Sequence, residues 1–221
     1  MTRAYFITGT DTEIGKTYVA CALLHAFRHQ GLTAIGMKPV AAGTDAAGHN
    51  EDVEALIAAS SITAPRELVN PYCFADPIAP HIAAREACVT MRAEPVQAAL
   101  QALGEMAEVV VVEGVGGLVV PLGENFDAAD LAEALSAPLI LVVGMRLGCL
   151  NHALLTAAAI DARGLKLAGW IANRIDPAMN RFEENLATLQ AVLKAPLLGV
   201  VPHAAGGVET AAASLDLSRL R

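Results

Sequence analysis

The segment Gly9-Thr-Asp-Thr-Glu-Ile-Gly15-Lys16-Thr17 constrains this chain more than any other. It follows an apolar stretch, Tyr5–Thr8, that reads as a strand, and it opens a helical pattern running from Lys16 to about Gln30. A glycine turn between strand and helix aims backbone amides and the positive end of a helix dipole at one point, which is an anion site. Gly15 lets the main chain approach a phosphate closely, Lys16 adds a charge for the outer phosphates, and the Thr17 hydroxyl is placed to hold Mg²⁺. P-loops usually have four residues between their glycines and this one has five. The spacing changes the pattern without changing the physics. The bland alternative, a chance Gly-Lys-Thr at a helix start, does not account for the strand before it. Asp11 and Glu13 are unexpected in a loop that must receive polyphosphate. They either face away or touch a cation such as an amine substrate.

Further along, short apolar runs alternate with amphipathic ones. Strands are expected at Thr33–Lys38, Val109–Val112, Leu139–Val143, Leu167–Ala172 and Leu197–Val201. Helices are expected at Ala128–Leu135 with Asp127 as its cap, at Leu150–Arg163, and at Ala178–Leu193 with Pro177 at its start. Gly31 is placed to end the first helix. The β-branched run at Val109–Val112 suits a strand covered on both faces. Alternation of strand and helix implies an α/β fold, a mostly parallel sheet with helices on both faces. Pro39–Asn50 and Asn70–Pro80 read as long functional loops. Residues 211–221 could form a short helix. Nothing in the composition divides the 221 residues, so a single domain is expected.

Parallel sheets bind ligands beyond the carboxyl ends of their strands. Glu113 ends one buried strand and is followed by Gly114-Val115-Gly116-Gly117, an arrangement suited to a metal-binding acid beside phosphates. Asp52 is the second metal candidate and Glu51 its rival, although either could be an ordinary acid in a first helical turn. Lys38, one of four lysines, ends the second strand and faces the same region. There it could hold a γ-phosphate or an anionic intermediate, or simply reach water.

The net charge of −8 argues against a nucleic-acid binder. No apolar run reaches the roughly 18 residues of a membrane helix, so the expected location is the cytoplasm. The scattered cysteines 21, 73, 88 and 149 form no Cys-x-x-Cys pair and read as mostly buried thiols.

Taken together, GTDTEIGKT at 9–17, GMKPVAAG at 36–43, NPYCFADPIAPHIAA at 70–84, VVEGVGGLVVPL at 111–122, LVVGMRLGCLNHALLT at 141–156 and AGWIANRI at 168–175 resemble the dethiobiotin synthetases, in family order across nearly the whole chain. The resemblance implies an ATP-dependent cyclo-ligase that closes the cyclic urea of dethiobiotin from 7,8-diaminononanoate and CO₂. It implies that Glu13, Ile14, Gly15, Lys16 and Thr17 hold the ATP phosphates, with Gly114, Val115 and Gly116 nearby. Thr17, Asp52 and Glu113 would surround Mg²⁺, and Lys38 and Lys16 would be the catalytic lysines. Asn173 would recognise adenine, with Arg174, Pro202, His203 and Ala204 near the base. Thr12, Lys38, Ala42, Gly116 and Gly117 would meet the substrate. Gly148, Cys149, Leu150 and Asn151 would receive its carboxylate from the neighbouring subunit of a homodimer. One departure is Ala42, where the family usually has a hydroxyl; one lost hydrogen bond is worth about 1 kcal/mol, and a water or Thr44 could replace it. His81 and His152 lie in matching segments and read as structural.

Two rivals remain from the residues alone. An ATP-dependent amide-forming enzyme would usually carry a further glutamine-hydrolysing domain. A nucleotide-switch ATPase of the partition or division-site kind commonly has a second lysine early in the P-loop, which is absent here. A switch would change its oligomeric state with ATP.

Overall fold

The computed structural model describes residues 2–203 and 207–220. In chain order the strands are β1 (Arg3–Gly9), β2 (Ala34–Met37), β3 (Val40–Ala42), β4 (Tyr72–Phe74), β5 (Val109–Glu113), β6 (Pro121–Gly123), β7 (Phe126–Asp127), β8 (Leu139–Gly144), β9 (Leu167–Asn173) and β10 (Leu197–Val201). The helices are α1 (Lys16–His29), α2 (Glu51–Ala59), α3 (Arg66–Val69), α4 (Pro80–Glu86), α5 (Ala93–Met106), α6 (Ala128–Leu135), α7 (Cys149–Ala162), α8 (Phe182–Val192) and α9 (Gly207–Ala213).

Six strands form one parallel sheet in the order β10-β9-β8-β1-β5-β2. Successive side chains of a strand face opposite sides, and both sides are apolar here. Val109 and Val111 join Ile7, Ile140 and Val142 under α1 and α2, together with Ala211 and Ala212 of α9. Val110 and Val112 join Phe6, Ile35 and Met37 under α5 and α6. Leu141, Val143 and Trp170 pack against α7 and α8. The expected architecture is therefore the observed one. Register lines up the carboxyl ends: Ile7 lies beside Glu113, Met37 beside Val112, Gly9 beside Val142, and Gly144 beside Asn173. This row of strand ends is where the loop after β1 opens.

Several boundaries differ from the sequence expectation. The two long loops pair with each other, Val40–Ala42 lying parallel to Tyr72–Phe74. Helix α8 starts at Phe182, not Ala178. The Asp176 carboxylate accepts from the Ala178 amide, closing a local turn that competes with helix, and Arg181 sits at φ 57°. Helices α4 and α5 were not anticipated. Near the C-terminus the helix ends at Ala213, and Leu215 then bridges to Gly199. Of the four cysteines only Cys21 and Cys149 are buried; Cys73 and Cys88 are exposed. Among the described residues no helix is long and apolar enough to cross a membrane.

Asp127 caps α6 as expected, accepting from the Asp130 amide, while the Asp130 carboxylate accepts from the Asp127 amide. Both acids also accept from Arg163, at the C-terminal end of α7, at 2.5 Å each. Replacing Asp127 with Ala removes a cap and half of this tie. The expected loss is about 1–2 kcal/mol of unfolding free energy in urea titration, and a loss below roughly 0.3 kcal/mol would contradict the assignment.

Candidate active site

The loop after β1 turns at Gly15, whose φ of +77° favours glycine. A Cβ there would also lie 2.4 Å from the Asn173 amide nitrogen. That nitrogen donates to the Ile14 carbonyl at 2.7 Å, so the end of β9 clamps the phosphate loop. The Ile14 side chain is buried, and a Cβ on Gly9 or Gly144 would collide with it. Gly15 leads directly into α1, whose first amides lack intrahelical acceptors and point to the loop's hollow. Lys16 Nζ donates to the Asp11 carbonyl at 2.7 Å, within its own loop.

Beside this loop lies a compact ionic cluster. Lys38, directly after β2, is buried, and its Nζ donates to Glu113 Oε1 at 2.6 Å and to Asp52 Oδ2 at 2.8 Å. Thr17 Oγ1 lies 2.7 Å from Asp52 Oδ1 and 2.8 Å from Glu113 Oε1. The four residues come from α1, the end of β2, the first turn of α2 and the end of β5, and the fold brings all of them together. Asp52 rather than Glu51 is the acid in place, since Glu51 is exposed. Asn50 caps α2 by accepting from the Val53 amide and donates its own amide to the Gly43 carbonyl at 2.7 Å. Lys38 is held from the far side by buried Asn70, which donates to the Lys38 carbonyl at 2.6 Å and the Tyr72 carbonyl at 3.0 Å.

Burial pushes the Lys38 ammonium toward neutrality, but attraction to Glu113 and Asp52 outweighs it and holds the lysine charged. Burial also lifts Glu113 above the ordinary carboxylate range, against the pull of Lys38. Asp52 is partly exposed; the same burial cost is outweighed by Lys38, and its carboxyl stays below its usual range.

The donor set fits Mg²⁺. A hydroxyl has one proton and cannot donate to both carboxylates at once. Glu113 Oε2 is buried without any hydrogen-bond partner. A hard divalent cation takes oxygens of this kind and keeps several waters, so Thr17, Asp52 and Glu113 would supply its protein ligands.

The remaining expected site residues fall into three groups. Gly116 and Gly117 lie against the phosphate loop: a Cβ on the first would meet Thr12 Oγ1 at 3.4 Å, and on the second the Gly9 carbonyl at 3.5 Å. Gly114 follows Glu113 with its amide on the Ile7 carbonyl, and Val115 packs on the core below it. Ala42 lines a cleft of about 580 Å³ with Gly43, Thr44, Asn50 and Asp52. Arg174, Pro202 and His203 gather past the ends of β9 and β10. There Arg174 stacks on Phe182 at 4.7 Å and His203 Nδ1 lies 3.2 Å from the Arg174 carbonyl. Ala204 lies outside the described residues.

Gly148 to Asn151 open α7. Cys149 points into the core, so this turn can offer a ligand its backbone but not that thiol. Burial pushes the Cys21 thiol up to about 12, too high for a nucleophile. His81 is half-buried and His152 is exposed. Asp11 meets a cation of the protein itself, Arg146, at 2.5 Å. Asn70, Asn50 and Arg146 were not singled out from the sequence. Asn70 opens a quoted motif, but a buried amide bracing a lysine carbonyl 32 positions away leaves no local pattern.

Fold and site together define a P-loop nucleotide-binding protein. A family model described as an AAA domain matches residues 3–208. The "ATP-dependent dethiobiotin synthetase BioD" of Aromatoleum aromaticum is 61% identical over 207 residues, 92% of each chain. That of Nitrosospira multiformis is 53% identical, covering 92% of this chain and 89% of the relative. The chain belongs to the dethiobiotin synthetase family. A ParA family ATPase from Chlorobium tepidum superposes with a TM-score of 0.60 over 99% of this chain and 92% of that one. At 11% identity that likeness shows the fold alone and gives the switch ATPase no support.

Burial, reinforced by nearby Lys38, lowers the Lys16 amine to about 8. Between that value and the ordinary 10.5, the free protein holds the neutral amine. Polyphosphate against Nζ favours the ammonium, so nucleotide binding in this window takes up a proton. Calorimetry of MgATP binding at about pH 9, in buffers of differing ionisation enthalpy, is expected to show net uptake; a binding heat independent of buffer would contradict it.

Proposed function

We propose that this chain is a dethiobiotin synthetase that closes the cyclic urea of dethiobiotin from 7,8-diaminononanoate, CO₂ and MgATP, releasing ADP and phosphate. The observation that carries this is the buried Lys38, bonded to Glu113 and Asp52 beside Lys16 and Thr17 of the phosphate loop. Membership of the synthetase family supplies the reaction.

One amine of the substrate takes up CO₂ and loses a proton, giving a carbamate. A carbamate oxygen attacks the γ-phosphorus of ATP and ADP departs, leaving a carbamic–phosphoric anhydride. The second amine attacks the carbamate carbon, loses a proton and expels phosphate as the C–O bond breaks, closing the ring. Each stage gathers negative charge at one place. Lys16, released from the Asp11 carbonyl, meets the β- and γ-phosphates; Lys38 faces the carbamate and the moving phosphoryl group. Thr17, Asp52 and Glu113 would hold Mg²⁺, which would supply further charge neutralisation at the phosphates. Ring closure is intramolecular, so orientation alone lowers its barrier strongly.

Thr12, Ala42, Gly116 and Gly117 border the space open to the diamine. Gly116 suits it because its φ of +60° favours glycine and a Cβ there would lie 2.9 Å from Val120, whereas a Cβ on Gly117 would only touch the Gly9 carbonyl at 3.5 Å. Asn173, Arg174, Pro202 and His203, with Ala204 next in sequence, form the base end of the nucleotide site. The substrate carboxylate goes to the amides of Gly148–Asn151 on a second copy of the chain. Leu147 is nearly fully exposed and Leu155 on α7 is also exposed, apolar surface that supports a homodimer. The 221 residues act as one synthetase domain working in the cytoplasm, without nucleic-acid or membrane partners.

Purified protein given MgATP, bicarbonate and 7,8-diaminononanoate is expected to form dethiobiotin and matching ADP only in the full mixture, read by mass spectrometry. ATP binding without product would overturn the substrate assignment. A Lys38→Gln variant is expected to lose at least about a hundredfold in turnover, while its Kd for MgATP moves less than about threefold. Unchanged turnover would remove Lys38 from the chemistry.

A further inference from the structure

Asp11 poses an electrostatic problem. It lies inside the loop that receives polyphosphate, and a free carboxylate there repels the ligand. Its carboxylate is fixed at both oxygens: Oδ1 accepts from the Thr12 amide at 2.8 Å and Oδ2 from Arg146 Nη2 at 2.5 Å. Its carbonyl accepts from Lys16. One residue therefore links the phosphate-binding lysine to an arginine on a different loop.

That arginine is well anchored. It stands on the connection between β8 and α7. Met145 before it is buried, with its amide on the Asn173 carbonyl, and the Arg146 carbonyl accepts from the Cys149 amide at 3.0 Å. Next to it, the Gly144 amide donates to Thr10 Oγ1 at 3.3 Å, and the Thr10 amide donates to the Val142 carbonyl at 3.1 Å. The first half of the phosphate loop is thus laced to the end of β8, and Arg146 is the charged stitch. The pair is about half exposed, 45% and 42%, so the link itself adds little to stability. Its value lies in the local potential.

Resting on the nucleotide site proposed above, we infer that Arg146 is a positioning residue for ATP: it neutralises Asp11 and holds that carboxylate away from the incoming phosphates. Arg146 does not touch the nucleotide in this account. It acts through Asp11, so its importance depends on Asp11 being charged.

This dependence gives a test that a purely structural tie fails. MgATP affinity is measured by calorimetry at low salt for the full-length protein and three variants. Arg146→Ala is expected to weaken binding about tenfold, because it leaves the loop carboxylate uncompensated. Asp11→Asn is expected to stay within about twofold of the parent. The double variant Asp11→Asn/Arg146→Ala is expected to return to within about twofold as well, since no charge remains to compensate. The Arg146→Ala defect should appear in KM for ATP far more than in kcat. A double variant as weak as Arg146→Ala alone would overturn the inference, showing that Arg146 braces the loop or meets phosphate directly. Parent protein that binds MgATP alongside an Arg146→Ala variant of equal affinity overturns this inference and leaves the nucleotide site standing. Parent protein that binds no MgATP overturns the nucleotide site itself.

Discussion

A buried ammonium held by two carboxylates sits at the centre of this molecule. Lys38 and Glu113 could not be buried singly at reasonable cost, since a lone charge in a protein interior neutralises or unfolds its surroundings, and partly exposed Asp52 adds a second acid to the lysine. Together they offset one another, and their mutual arrangement fixes three strand and helix ends within hydrogen-bonding distance. The cluster is still incomplete, with one lysine and one hydroxyl proton facing two acids. Glu113 keeps one oxygen without a partner and is lifted by burial. A site with an unpartnered buried carboxylate oxygen beside the phosphate loop has the donors that the proposed divalent cation would need.

The fold explains why these groups meet. In a parallel sheet all strands end on one side, and the order β10-β9-β8-β1-β5-β2 puts the phosphate loop between the ends carrying Glu113 and Gly144. Lys38 arrives from the neighbouring edge strand, Asn173 from two strands in the other direction. Each side chain inherits its place from backbone register and not from its own loop. The small β3–β4 ribbon braces the Lys38 turn, with the Lys38 amide on the Val69 carbonyl and Asn70 beneath.

Much of this was legible in the sequence. The phosphate loop, the six sheet strands, the Glu113 strand end and the Asp127 cap are local signals, carried by glycine spacing, β-branched runs and a capping acid. The quoted motifs also gave the family. What stayed hidden is non-local. Three-residue strands such as Val40–Ala42 and Tyr72–Phe74 are too short for a period, and nothing in either segment names its partner. Asp52 and Glu51 are equal candidates in a first helical turn, and only the direction of α2 toward Thr17 separates them. Pro177 is a sound helix opener in isolation, but the Asp176 turn and the positive φ of Arg181 delay α8 to Phe182. The partner of Asp11 lies 135 residues away, so a local view could register the misplaced charge without finding what balances it.

The proposed reaction stands on Thr17, Asp52 and Glu113 as the cation site and on Lys38 as the cation that meets the reacting groups. The most direct test is a crystal structure with Mn²⁺ in place of Mg²⁺, a non-hydrolysable ATP analogue and 7,8-diaminononanoate, with the metal located by anomalous scattering. One strong anomalous peak is expected, bounded by the Thr17 hydroxyl, Asp52, Glu113 and the outer phosphates, with Lys38 Nζ facing the γ-phosphate and the amine. A metal bound elsewhere, with Lys38 still bonded to both carboxylates, would contradict it.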